Sequence, residues 1–151
     1  MNTYERAVRL LRGRVRRSMK GKIVVSKAER PLEKTRQGRL RFYLHDAAIH
    51  DTALKDWRVF VHEIPERTGR HTHQGGLALF VLEGKGWTVM DGKRVDWKAG
   101  DLILLPIRPG GVEHQHFNAD PKKPARWLAL VYSPHMDAIA HFIEQKEDAP
   151  R

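Results

Sequence analysis

HTHQGGLALFVLEG, His71 to Gly84, sets two histidines two residues apart, follows them with a glycine pair, and then runs apolar from Leu77 to Leu82 before a turn glycine. In an extended strand, alternate residues share a face, so His71 and His73 point the same way. VEHQHFN, Val112 to Asn118, repeats the spacing with His114 and His116. If both pairs face inward, one interior gathers them. An unpaired imidazole inside an apolar barrel is costly, and a divalent first-row metal resolves that cost by taking the neutral ring nitrogens as ligands.

The rest of the chain supports an all-β reading. Arg39 to Leu44, Trp57 to Ile64, Leu77 to Leu82, Gly86 to Met90, Lys93 to Trp97, Leu102 to Leu105, Val112 to Phe117 and Arg126 to Tyr132 are short runs of β-branched, aromatic and aliphatic residues separated by turn residues. Eight such strands suit a sandwich or barrel. Asp91-Gly92 predicts a two-residue hairpin, because a type I′ turn needs positive φ at both central positions. After Ser133-Pro134, the spacing of Met136, Ile139, Ala140 and Ile143 predicts a short closing helix.

The 151 residues fit one domain, and 40% hydrophobic content suffices for a core. There is no cysteine, which excludes disulfides and thiolate ligands and leaves histidine as the available soft donor. No apolar run reaches the ~18 residues of a membrane span, and a cytoplasmic location is expected. The net charge of +10 is uneven: residues 1 to 41 hold 14 Lys and Arg against 3 acids (+11), and residues 42 to 151 hold 14 against 15 (−1). Basicity therefore belongs to an arm, residues 1–38, ahead of a barrel at 39–151. Tyr4, Val8, Leu11 and Val15 recur at helical intervals among arginines, predicting an amphipathic helix with a basic face. Packing on its own domain or on a second subunit is the favoured role for that helix. Nucleic acid or an anionic surface is the alternative partner, and an Arg-rich transit peptide is a further one.

These motifs resemble those of the cupin superfamily, over approximately Val59 to Tyr132. The first cupin motif places His-x-His ahead of a glutamate and a later glycine; His71, His73 and Gly84 fit it in register. The second, Pro-x-Gly-x-x-His-x-x-x-Asn, is met by Pro109, Gly111, His114 and Asn118. The resemblance implies a jelly-roll barrel, a double-stranded β-helix, with metal ligands His71, His73 and His114. Two departures stand out. Leu77 occupies the position of the usual glutamate ligand, and Pro106-Ile107-Arg108 lengthens the loop before Pro109. Three neutral rings leave a divalent ion its full charge, so an anionic chelating substrate is expected to supply what the glutamate does not.

GGLALFVLEGKGW and GDLILLP resemble the gentisate and hydroxynaphthoate dioxygenases of that superfamily, which use three histidines on ferrous iron. The resemblance implies an Fe(II) dioxygenase acting on a small hydroxylated aromatic or dicarbonyl carboxylate, with His116 and Gln74 beside the metal as acid/base candidates. His116 reads equally well as a hydrogen-bonded strand residue. Zn, Ni or Mn in a non-redox isomerase, decarboxylase or lyase is the alternative, as is a ligand-sensing protein without turnover. Arg70 and Arg108 flank the ligands and are candidate carboxylate-binding forks. Leu77, Leu79 and Val81 are expected on the inner face, as pocket lining or as core packing. Trp57, Trp87, Trp97 and Trp127 are expected to pack between strands or at an interface, while His45, His50, His62, His135 and His141 are read as surface or structural. A homo-oligomer is expected from the cupin likeness, with Lys22 to Ser26 a candidate exchanged strand.

Overall fold

The computed structural model describes residues 1–150. Two antiparallel sheets face each other. The first contains β1 (Glu33–Thr35), β2 (Gly38–Leu44), β3 (Trp57–Ile64), β5 (Leu77–Glu83), β8 (Leu102–Leu105) and β10 (Ala125–Tyr132), in the order β1-β2-β3-β10-β5-β8. The second contains β4 (Arg70–His73), β6 (Lys85–Met90), β7 (Lys93–Lys98), β9 (Val112–Asn118) and β11 (Glu144–Glu147), in the order β11-β4-β9-β6-β7. All eight strands expected from the sequence are present.

Alternation sends one residue in two to the interior. Leu40 of β2, Ile64 of β3, Leu79 and Val81 of β5, Ile103 and Leu105 of β8, and Ala125, Trp127 and Ala129 of β10 are buried between the sheets. Trp97 of β7 closes the core from the second sheet. Each aliphatic side chain of this set contributes about 1.5–3 kcal/mol by leaving water. Asp91 (φ 47°) and Gly92 (φ 77°) form the hairpin between β6 and β7, with Met90 opposite Lys93.

Both ends differ from the sequence reading. The closing helix, α2, spans Ser133–Ala138 only, and Met136 is its one buried apolar residue. Ala140, at φ 50°, reverses the chain before the predicted pattern is complete. The chain returns as β11, whose Gln145 lies opposite His71. At the other end, α1 (Thr3–Lys20) forms as expected. Asn2 caps it by accepting the Glu5 backbone N–H at 2.9 Å, and the Glu5 carboxylate accepts from Asn2 in return. The helix buries none of its residues. Within the chain, Lys22 forms an isolated parallel bridge with Thr52. β1 lies inside the expected arm, because Arg36-Gln37 turns it back onto β2.

His62, on the inner face of β3, is fully buried, and its Nε2 has no hydrogen-bond partner. Gly38, at φ 135°, leaves the room it needs: a Cβ there would come within 2.5 Å of His62 Nε2. Burial pushes this imidazole down to about 3, so it stays neutral where an unfolded chain would protonate. Its contribution is fully present above the ordinary histidine range near 6.5 and is lost as pH falls toward 3. For metal-stripped protein, urea midpoints at pH 7.5 and 5.5 are therefore expected to differ more in the wild type than in His62→Leu, by about 1.4 kcal/mol from this ring.

Candidate metal centre

β4 and β9 are hydrogen-bonded neighbours, with His71 opposite His114 and His73 opposite Val112. That register brings the rings of His71, His73 and His114 together. A ligand nitrogen from each lies within 4.8 Å of the other two, and all three residues are buried. Ring centroids stand 4.3 Å apart for His71 and His114 and 4.6 Å for His73 and His114. No carboxylate joins this cluster among the described residues. Leu77, in place of the usual glutamate, lines the adjoining cavity.

The rings are held in forms that suit a cation. His71 Nδ1 donates to Gly69 O at 3.3 Å, and His114 Nδ1 donates to Val112 O at 3.1 Å. Each leaves the Nε2 lone pair free, which is how backbone carbonyls orient metal-binding histidines. His73 is turned differently, because its Nδ1 accepts the Gly75 N–H at 2.9 Å. Ligation through its Nε2 would need the other tautomer, in which Nδ1 no longer accepts from Gly75. Burial pushes His73 down to about 2 and His114 to about 3, and it lowers His71. Three rings that stay neutral do not repel a dication, so the donor set fits a divalent metal.

The glycine pair has a separate task. Gly75 and Gly76 sit at φ 75° and 76°, and a Cβ on Gly75 would lie 1.9 Å from Pro106 O. Only glycines let β4 turn beneath the lengthened loop before β9. Gln74 ties down the same corner. Its backbone O accepts from Arg108 N at 2.9 Å, and its Oε1 accepts from Phe142 N at 2.6 Å.

The cavity beside the rings has a volume of about 430 Å³. Phe42, Phe60, Leu77 and Val131 supply apolar wall, while Arg36, His45, Arg58 and His141 supply polar groups. Arg58 is braced by Asp46, to which Nε and one Nη donate at 2.9 and 3.2 Å. Guanidinium has five N–H groups, so three remain for a ligand. The His141 ring stands 4.8 Å from that of His73. Its burial and then the Arg58 charge lower its pKa, as they do for His45.

Other expected site residues lie elsewhere. Arg70 is on the outer side of β4, paired with Glu113 at 3.2 Å and Glu147 at 3.6 Å. Arg108 pairs with Asp91 on the surface. Neither guanidinium reaches the cavity, since alternation turns Arg70 away from its neighbour His71. His116 lies behind His114, with ring centroids 5.4 Å apart, and its Nδ1 is 2.7 Å from Thr88 Oγ1, which also accepts from Trp97 Nε1 at 3.0 Å. It does not line the cavity. The sequence reading missed Arg58, His45 and His141 as cavity groups. A period-two reading of β3, in which Arg58, Phe60, His62 and Ile64 share a face, is the signal that finds Arg58.

Residues 60–131 match the cupin domain family. This chain therefore carries a cupin domain, set in a jelly roll of two antiparallel sheets. Within the superfamily, its curated relatives are dioxygenases. It is 41% identical over 59 residues to a gentisate 1,2-dioxygenase of Streptomyces sp, a match covering 38% of this chain and 15% of that one. It is 29% identical over 85 residues to a 5-aminosalicylate 1,2-dioxygenase of Comamonas sp, covering 56% and 21%. A solved salicylate 1,2-dioxygenase of Pseudaminobacter salicylatoxidans superposes with a TM-score of 0.50 at 26% identity, over 60% of this chain and 26% of that one. The chain thus spans about a fifth of the length of the curated relatives it matches.

Replacing one ring tests the cluster. His114→Ala is expected to lower bound divalent metal at least tenfold, read by elemental analysis of protein equilibrated with one equivalent of Fe(II), Zn(II), Ni(II) or Mn(II), while far-UV circular dichroism keeps its β signature.

Proposed function

We propose that this protein is a metal-dependent dioxygenase, with ferrous iron at His71, His73 and His114, that takes a small hydroxylated aromatic or dicarbonyl carboxylate by bidentate chelation. One observation carries the reading: three clustered, buried rings without a carboxylate, two of which, His71 and His73, open on a cavity whose lining includes Arg58. Iron bound there supplies the redox chemistry and the positions for a chelating substrate and dioxygen.

The chain's own residues select and hold the substrate. Phe42, Phe60, Leu77 and Val131 exclude water and accept an aromatic or alkyl body. Arg58, fixed by Asp46, takes the carboxylate in a charge-assisted fork. This role passes to Arg58 from Arg70 and Arg108, whose guanidiniums are engaged outside the cavity. His141, neutral and beside His73, is placed to accept the proton of a chelating hydroxyl. His116 is a positioning residue here, filling the space behind His114 against Thr88. Gln74 likewise holds the C-terminal segment that delivers His141. All three metal-binding rings come from one chain, and a cysteine-free protein with ferrous iron suits a reducing cytoplasm.

Oxygen uptake by anaerobically iron-loaded protein, screened on hydroxybenzoates and β-dicarbonyl acids, tests the proposal. The expected result is uptake of one oxygen molecule per substrate consumed. Arg58→Leu is expected to raise KM for the carboxylate substrate roughly 10- to 100-fold, with little change for the corresponding amide. An iron-loaded protein that consumes no oxygen with any of them overturns the reading. Turnover without oxygen on Zn, Ni or Mn transfers the site to non-redox chemistry.

A further inference from the structure

Residues three and four apart stack on one side of an α-helix. In α1, Tyr4, Val8, Leu11, Val15 and Met19 follow that spacing and form an apolar stripe covering roughly a third of the circumference. Arg6, Arg9, Arg16, Arg17 and Lys20 fill the opposite side, while Arg12 and Arg14 flank the stripe, one on each edge. Leu10 is the large apolar residue that stands off it. The one acid of the helix, Glu5, is occupied in the cap with Asn2.

A helix with such a stripe ordinarily buries it against its own fold. This one leaves it bare: Tyr4, Leu11, Val15 and Met19 are 77%, 57%, 58% and 79% exposed. Its seven cations are equally unanswered, since none of them enters an ion pair among the described residues. The root of the helix, by contrast, is fixed. Gly21 passes so close to Thr52 that a Cβ on it would lie 2.4 Å from the Thr52 carbonyl carbon. Lys22 N donates to Asp51 O, and Lys22 O accepts from Ala53 N, both at 2.9 Å. Lys22 and Arg30 also both pair with the Asp51 carboxylate. Ile23 and Val24, just beyond this root, are exposed as well.

We propose that α1 docks on the surface of an anionic lipid bilayer, lying along it with the apolar stripe sunk at the boundary of headgroups and acyl chains and the arginines on the lipid phosphates. Such a surface answers both stripes at once, because negative headgroups and apolar chains meet in one plane. Arg12 and Arg14 stand where a long stem runs along apolar surface while its guanidinium reaches a phosphate. Duplex nucleic acid would meet the cations and leave the stripe in water. The helix lies on the bilayer and does not cross it, since no helix of the described residues is long and apolar enough for a span. The barrel adds no attraction of its own, as residues 42 to 151 carry a net charge of −1. Docking therefore belongs to the arm, which contributes none of the three clustered histidines.

Cosedimentation of the full chain with phosphatidylglycerol–phosphatidylcholine vesicles tests this, with binding expected to weaken about tenfold or more when phosphatidylcholine alone is used. Arg9→Glu with Arg16→Glu is expected to cause a similar loss. Leu11→Ser with Val15→Ser keeps every charge and is also expected to weaken binding about tenfold. Because α1 buries no residue, all variants are expected to keep the wild-type metal content and β-type circular dichroism. A wild type that ignores the anionic vesicles, or a serine variant that binds them as well as wild type, overturns the proposal. So does tighter binding to duplex DNA than to the vesicles at the same salt. A species of twice the 17.5 kDa mass in sedimentation velocity that the serine variant splits also overturns it, by assigning the stripe to a second copy of the chain.

Discussion

Antiparallel pairing of β4 with β9 is the constraint on which the chemistry depends. The ladder sets His71 across from His114, and alternation then brings His73 to the same interior face. A slip of one residue would turn the rings outward and bring Arg70 and Thr72 in, since side-chain period in a strand is two. Edge contacts reinforce the register. β11 adds Gln145 opposite His71 on the free side of β4, and Glu147 binds both Arg67 and Arg70. The charges around the outside of the second sheet thus hold in place an interior lined by three neutral rings.

That interior works through dehydration. Buried rings resist protonation, and backbone carbonyls turn two of them so that Nε2 is left unpaired. With Leu77 where a carboxylate stands in most cupins, the protein offers a cation no negative charge. In the proposed function neutralisation would come with the ligand, and the cavity offers it a counterpart in Arg58, whose position is set by Asp46. The chelating acid proposed as substrate would meet both demands at once, one end facing the cation and another the guanidinium.

The fold was legible wherever a residue's role followed from its neighbours along the chain. Alternating or continuous apolar runs marked the eight strands, Asp91-Gly92 marked the hairpin, and two His-x-His pairs marked the ligands. The parts that escaped depend on tertiary pairing. β11 reads as Glu-Gln-Lys-Glu, without β propensity, and becomes a strand because β4 presents a free edge and Arg67 and Arg70 attract Glu147. The helix expected through Ile143 stops at Ala138, and that early stop is what frees His141 to reach His73. Arg70 and Arg108 were singled out for being close to the ligands in sequence, whereas Arg58, thirteen positions before His71 in sequence, faces the cavity because β3 crosses it with the right parity.

The lengthened loop and the C-terminal segment are held by a single residue. Gln74 follows the last ligand of β4, holds Arg108 of the loop by its backbone and Phe142 of the segment by its side-chain oxygen. The next residue, Gly75, donates to His73. Were a metal held by His73 Nε2, Nδ1 would carry the proton and could no longer accept from the Gly75 amide. The corner beside His73 is thus the one that carries His141 and Ile143 to the cavity. The mouth of the barrel and the histidine cluster are joined by the same QGG turn that separates the histidine pair from the apolar strand.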